Sequence, residues 1–290
     1  MATFLIAGCG DIGAGLGVVL CRAGHRCYGL KRDISQLPAP IQGIAADLSQ
    51  SSTLSGLPDH CEYLVYAVAA SAFDAATYQA AYVDGLRHLL AALRANGSPL
   101  KRVLFVSSSA VYHQSQGEWV DEQSPTAPTS FSGRAMLAAE QVLSESGFPA
   151  TSVRFSGIYG PGRERILNWV KAGVAARSEP VVYGNRIHRE DCIGVLQFLL
   201  ERELAGQSLA ACYLASDPHP TPYHEVLEWL RQQLGLPEPS VREDFGQRLR
   251  TGSKRCNPAR LLAQGYQFKY PSYREGFAAL VAAEREQGTD

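Results

Sequence analysis

Three glycines close to the start of the chain, Gly8, Gly10 and Gly13, stand in the G-x-G-x-x-G spacing that brings a main chain against a pyrophosphate. Each has its own task. Gly8 permits a tight turn, Gly10 leaves the phosphates a path to the backbone, and Gly13 lets the next helix lie close to the strand before it. Asp11 and Ile12 fall in the first turn of that helix, where free N–H groups attract an anion. The spacing also suits a glycine-rich turn in other α/β proteins, so the surroundings decide. Residues 4–7 form an apolar run that predicts a buried strand, and Ile12, Leu16, Val19, Leu20 and Ala23 recur on one helical face before Gly24. Strand, glycine turn and helix together point to a dinucleotide.

A second strand, predicted over 25–30, ends at Lys31, Arg32 and Asp33. An acid at this place hydrogen-bonds a ribose 2′-hydroxyl, and a base accepts a 2′-phosphate. Lys31 and Arg32 therefore favour NADP(H), a guanidinium being well suited to a phosphate. NAD(H) stands second, because Asp33 can supply the acid. A solvated turn is the plain alternative for both cations.

The elements needed to carry these residues follow in order. Strands are predicted over 42–46, 63–67, 102–107 and 151–155, with helices over 75–96 and 133–146 between them. Strands alternating with helices predict a doubly wound parallel Rossmann sheet. Further on, helices are expected over 166–176, 190–204, 224–234, 258–263 and 273–285, with a short strand over 211–214. Residues 1–162 are read as the dinucleotide-binding domain, with 185–215 returning to it. Residues 163–184 and 216–290 are read as a smaller α+β substrate lobe.

Composition removes other classes. With 27 basic and 28 acidic residues the net charge is −1, and no charged block offers a surface to nucleic acid or an anionic membrane. No apolar run reaches transmembrane length, and the first residues lack the basic and apolar regions of a signal peptide. The seven cysteines are odd in number and scattered, without C-x-x-C, as expected of free thiols in a reducing cytoplasm. No metal-ligand spacing occurs. A cytoplasmic protein with a small-molecule substrate is expected.

Longer motifs narrow this further. They are Gly8 to Gly13, Asp47 and Leu48 after the third strand, and Ala67, Val68, Ala69 and Ala70 after the fourth. Next come Ser107, Ser108, Ser109, Ala110, Val111 and Tyr112, then 154–162, and Arg186 to Asp191. Together they resemble the extended short-chain dehydrogenase/reductase superfamily, in its NAD-dependent epimerase/dehydratase group. The glycine spacing departs from that group's usual G-x-x-G-x-x-G and marks an atypical branch. The resemblance implies that Asp47 and Leu48 border the adenine and that Ala67, Val68 and Ala69 line the cofactor. It implies an oxidoreductase or epimerase/dehydratase working on a hydroxyl or carbonyl, sugar derivatives included. It also implies a homodimer through the helix that carries Tyr78 and Tyr82.

Family chemistry uses a tyrosine to move a proton, a lysine four residues later to lower its pKa, and a serine to hold the reacting oxygen. Ser108 takes the serine place by resemblance. Ser132 stands in the tyrosine position and Met136 in the lysine position; a slip of one residue gives Phe131 and Ala135. A serine without a base is no proton shuttle, and methionine carries no charge. Catalytic candidates are thus Ser108, Ser132 and Tyr112, with Tyr159, Arg134 and His188 as relocated acid/base groups. Two alternatives stay open: an enzyme whose substrate brings its own acid/base group, and a catalytically silent NADP(H)-binding sensor or regulatory protein. Lys254, Arg255 and Arg274 form either an anion site or a solvated surface.

Overall fold

Strands without a polar face build the middle of the sheet. In the computed structural model, which describes residues 1–245 and 252–287, β1 (Thr3–Ala7) is buried from Phe4 to Ala7. The strand β4 (Tyr63–Tyr66) is buried throughout. Such runs suit a parallel sheet covered on both sides. The remaining strands of this sheet are β2 (Arg26–Lys31), β3 (Gln42–Ala45), β5 (Arg102–Ser108), β7 (Ala150–Phe155) and β11 (Cys212–Ala215). Their order is β11-β7-β5-β4-β1-β2-β3. The reversal beside β1 is the switch point at which doubly wound sheets bind ligands. The expected parallel Rossmann sheet is therefore present.

Two compact units divide the chain. The first comprises Met1–Val111, Ala127–Arg154 and Ile193–Tyr213, and the second Tyr112–Thr126, Phe155–Cys192 and Leu214–Asp290. In the first, helix α1 (Asp11–Arg22) buries Ile12, Leu16 and Leu20. The expected helix over 75–96 is interrupted: α2 (Ala75–Tyr78) passes into a π-helical turn, Gln79–Asp84, before α3 (Gly85–Ala95). A strand residue accounts for this. The Tyr66 hydroxyl donates to the Ala81 carbonyl at 2.5 Å and takes it from the regular helical ladder. Gly85 makes the room, since a Cβ there would stand 2.8 Å from the Tyr66 hydroxyl oxygen.

Helix α4 (Phe131–Glu145) begins at Ser130, whose hydroxyl accepts the Gly133 N–H at 3.1 Å. Its Glu140 is clamped to the sheet. The Arg154 Nε and Nη2 atoms donate to the two carboxylate oxygens at 2.9 and 2.6 Å, and the Ser107 hydroxyl donates to Oε1 at 2.5 Å.

The second unit buries Leu167, Val170, Val226, Leu227, Leu230 and Phe277 in its own core. They come from α5 (Arg165–Lys171), α6 (Tyr223–Gln233) and the last described helix, Tyr273–Gln287. Short ladders complete it. β8 (Gly157–Tyr159) pairs with β10 (Arg186–His188), and β9 (Tyr183–Gly184) with β12 (Thr221–Pro222). β6 (Gln116–Val120) runs parallel to β13 (Ser253–Cys256). Among the described residues no helix is long and apolar enough to cross a membrane.

Candidate functional site

The first unit gathers the glycine loop and its neighbours at the carboxyl ends of the central strands. Gly8 has φ +79, the left-handed region that glycine alone adopts without strain. Its N–H donates to the Leu30 carbonyl at 3.0 Å, and a Cβ on it would stand 2.5 Å from the Val68 backbone. A Cβ on Gly13 would stand 2.6 Å from the Gly8 carbonyl oxygen. Gly10 differs from both: nothing lies within 4 Å of where its Cβ would be. It is exposed and precedes α1 without a side-chain cap. Turn, close packing and open approach thus fall on the three glycines as the spacing requires, and the residues fit a dinucleotide. Asp11 is exposed and Ile12 is buried in the core, in the first turn of α1.

The other expected cofactor residues lie at adjoining strand ends. The Ala67 N–H donates to Ala7 at 2.8 Å, which continues β4 beside β1 into Val68 and Ala69. The Ala70 N–H donates to the Tyr82 hydroxyl at 3.3 Å. Lys31 closes β2, and its carbonyl accepts the Ala46 N–H at 3.2 Å, next to Asp47. The Asp47 carboxylate accepts the Ser49 N–H and hydroxyl at 2.9 and 2.8 Å. These bonds, helped by the charge of Arg32, hold its pKa down. The Leu48 carbonyl meets the His88 ring at 2.8 Å. Arg32 is exposed, while Asp33 commits its Oδ1 to the Ser35 N–H at 2.9 Å.

Of the catalytic candidates, Ser108 and Ser132 sit on packed neighbours. The Ser108 hydroxyl oxygen accepts the Ala110 N–H at 3.1 Å. The Gly133 backbone approaches the Ala110 carbonyl so closely that a Cβ would stand 2.3 Å from it. Ser132 is buried, with its oxygen 3.2 Å from that of Ser130. Met136, one turn on, is buried as well. Among the described residues no histidine, lysine or carboxylate hydrogen-bonds to Ser108 or Ser132. Arg134 is exposed and donates to the Thr129 carbonyl, closing the loop before α4.

Tyr112, Tyr159 and His188 belong to the second unit, and all three are buried. Tyr159 packs on Phe277 with centroids 4.5 Å apart, and burial raises its pKa. His188 packs on Tyr270 at 3.8 Å, its Nδ1 accepts the Glu190 N–H, and burial lowers its pKa. Both surroundings are those of packing residues. The basic trio is spread over different partners. Lys254 is buried on β13, Arg255 lies between the Trp119 and Tyr183 rings, and Arg274 lies over Trp229 and Tyr273.

Two charged residues in this unit, Arg186 in the 186–191 motif and Asp217 in the loop before Pro218, drew no site role from the sequence, yet they are 1% and 0% exposed. Periodicity cannot flag a charge in a three-residue strand, and Asp217 beside Pro218 reads as an ordinary turn former. Burial pushes the Asp217 carboxyl up to about 8 against an ordinary value of 3.8, although Arg186 pulls it down. The fold thus prefers the protonated acid. That contribution is complete below pH 3.8 and is lost as pH rises towards 8, because the unfolded chain ionises first. Asp217→Asn is accordingly expected to gain melting temperature over wild type, by an amount that grows between about pH 5 and pH 8. Melts across that range check it; a gap that stays constant or shrinks would refute the assignment.

A model of the NAD dependent epimerase/dehydratase family matches residues 4–206. Among solved structures, a putative NAD-dependent epimerase/dehydratase from Methylobacillus flagellatus is 39% identical, with TM-score 0.83 over 98% of this chain and 99% of that one. A functionally unknown conserved protein from Silicibacter pomeroyi is 27% identical, with TM-score 0.78 over the same shares. UDP-glucose 4-epimerase from Thermotoga maritima, solved with UDP-glucose, shares the fold at 17% identity and TM-score 0.82, over 98% of this chain and 99% of that one. Among curated proteins none matches. With the glycine loop, the sheet order and the family match in agreement, the chain belongs to the NAD dependent epimerase/dehydratase family.

Proposed function

We propose that the chain binds a nicotinamide dinucleotide on Gly8, Gly10, Asp11, Ile12 and Gly13, with Ala67 to Ala69, Asp47 and Leu48 around it. It then acts as an NAD(P)-dependent oxidoreductase or epimerase/dehydratase on a hydroxyl or carbonyl substrate, sugar derivatives included. The observation that carries this is the open space at Gly10, set between two glycines whose backbones are in close contact. When bound, a nicotinamide supplies hydride transfer. The Ser108 oxygen already accepts a backbone N–H, which leaves its own O–H to donate to a substrate oxygen. Ser132 shares its hydroxyl with Ser130 and helps shape the start of α4. With no base bonded to either serine, the proton is left to the substrate's own acid/base group.

Binding without turnover is the second reading, and a buried methionine at position 136 favours it. Melting temperatures with NADP, NADPH, NAD and NADH test the binding, since a ligand of the folded state raises apparent stability. No shift with any of them would sink both readings. A hydroxyl and carbonyl panel separates the two, with NADPH absorbance reporting net oxidation or reduction and product analysis reporting epimerisation or dehydration.

NADP(H) is preferred over NAD(H) on the exposed Arg32 and on the engagement of Asp33 with Ser35. Arg32→Ala is expected to weaken NADP(H) by about tenfold, the scale of one lost charge-assisted hydrogen bond, and to leave NAD(H) unchanged. Titration of both nucleotides checks it; an unchanged ratio removes Arg32 from the argument.

A further inference from the structure

The second unit buries a guanidinium for which the described residues supply no acceptor. Arg186 is the largest of the fully buried side chains, and its Nε, Nη1 and Nη2 atoms all lack a hydrogen-bond partner. A guanidinium carries five N–H donors and cannot shed its charge. The Tyr223 and Tyr273 ring centroids lie 5.6 and 5.9 Å from its Cζ. Aromatic faces attract a cation, yet they leave its N–H groups unbonded. The Tyr273 hydroxyl and the Asp217 Oδ2 atom are buried and unpaired too. Shape holds the group in place: a Cβ on Gly184 would stand 2.4 Å from Nη2.

Asp217 is the nearby candidate for a counter-ion, and it does not fill that role. Its Oδ1 accepts the His219 N–H at 3.2 Å and its backbone N–H donates to the Arg186 carbonyl at 2.7 Å, but no hydrogen bond joins its carboxyl to the guanidinium. Burial raises its pKa and so favours the protonated form. Its Oδ2 and the Tyr273 hydroxyl are thus two buried polar groups of the same unit left without a partner. A buried cation whose N–H groups find no acceptor, in a unit that also holds two unbonded groups able to donate, is a set of groups awaiting an anion.

We propose that Arg186 anchors a buried anion site in the second unit, that its ligand is a small carboxylate, and that Asp217 and Tyr273 donate beside it. A carboxylate is planar and takes the guanidinium fork through two parallel bonds. As a monoanion it loses less on leaving water than a phosphate dianion does. Gly184 and Tyr223, which flank the guanidinium, belong to or adjoin the β9–β12 ladder of two residue pairs. So short a ladder opens at low cost and admits a small molecule. The site is independent of the glycine loop, so it stands or falls apart from dinucleotide binding.

The test uses the full chain in a buffer free of carboxylates and phosphate. Sodium acetate then replaces sodium chloride at equal ionic strength, for wild type and for Arg186→Met. Acetate is expected to raise the wild-type melting temperature saturably and to leave the variant unmoved. In chloride alone, Arg186→Met is expected to melt about 2–4 °C above wild type, because it removes a buried, unpaired charge. The proposal is overturned by equal acetate shifts in both proteins, or by a shift with phosphate and none with acetate. It is also overturned if Arg186→Met melts below wild type or does not fold, since Arg186 would then be a structural cation. Line broadening of isotope-labelled acetate by the wild-type protein supplies a readout without a variant; unbroadened lines would equally refute it.

Discussion

Gly10→Ala is expected to stay folded and to lose dinucleotide affinity by at least about tenfold, roughly 1.4 kcal/mol. The added methyl would meet no protein atom within 4 Å, and the residue has φ −93, so neither packing nor a left-handed backbone resists it. What it would fill is the approach to the first turn of α1. Gly8→Ala gives the contrast. There φ is +79 and the methyl would meet Val68 at 2.5 Å, so folding should suffer along with binding. Melting temperature without ligand and nucleotide titration separate the two effects. If Gly10→Ala binds NADP(H) and NAD(H) as wild type does, the glycine loop is not the cofactor seat.

Removing the Glu140 side chain is expected to cost the most stability. Glu140→Ala leaves Arg154 without its bidentate carboxylate, in a place where both side chains are about one-tenth exposed. Breaking such a pair from one side costs about 3–5 kcal/mol, because the surviving charge stays buried. Ser107 loses its acceptor in the same step. At a few degrees per kcal/mol, the melting point should fall by roughly 10 °C. Urea unfolding checks it; a loss below about 1 kcal/mol would place Glu140 among surface ion pairs, which contribute little.

How far the sequence reaches can be seen element by element. The strands around the glycine loop were legible because β1 from Phe4 to Ala7 and the centre of β4, Leu64 and Val65, are apolar runs and their ends carry turn residues. The helices α1 and α4 were legible from their repeat. The pairing of β6 with β13 was not: Gln116, Gly117 and Glu118 give no alternation, and the partner lies more than a hundred residues away. The π-helical turn was hidden for another reason. It depends on a hydroxyl from β4, a tertiary contact that a local repeat does not record. In the candidate site, glycine spacing conveyed which backbone must be bare, since that is a property of residue type. Arg186 stood in the sequence only as part of the 186–191 motif, and Asp217 as a loop residue, because the meaning of both charges lies in what surrounds them.

The π-helical turn has a consequence for the surface. One extra residue is held within it, and passing that residue along the helix would rotate α2 against α3 by roughly 100°. Two phenols prevent this: Tyr66 holds the carbonyl of Ala81, and Tyr82 is tied to the Ala70 N–H in the strand-end loop. Tyr78 projects from α2 into a ring cluster with Phe73 and Phe131, of which Phe73 is exposed. The loop proposed to line the cofactor and this outer aromatic face thus share one mechanical setting. Were Ala70 to shift, the bond to Tyr82 would carry the shift to the π-helical turn, and a change of helical phase there would be read at Tyr78.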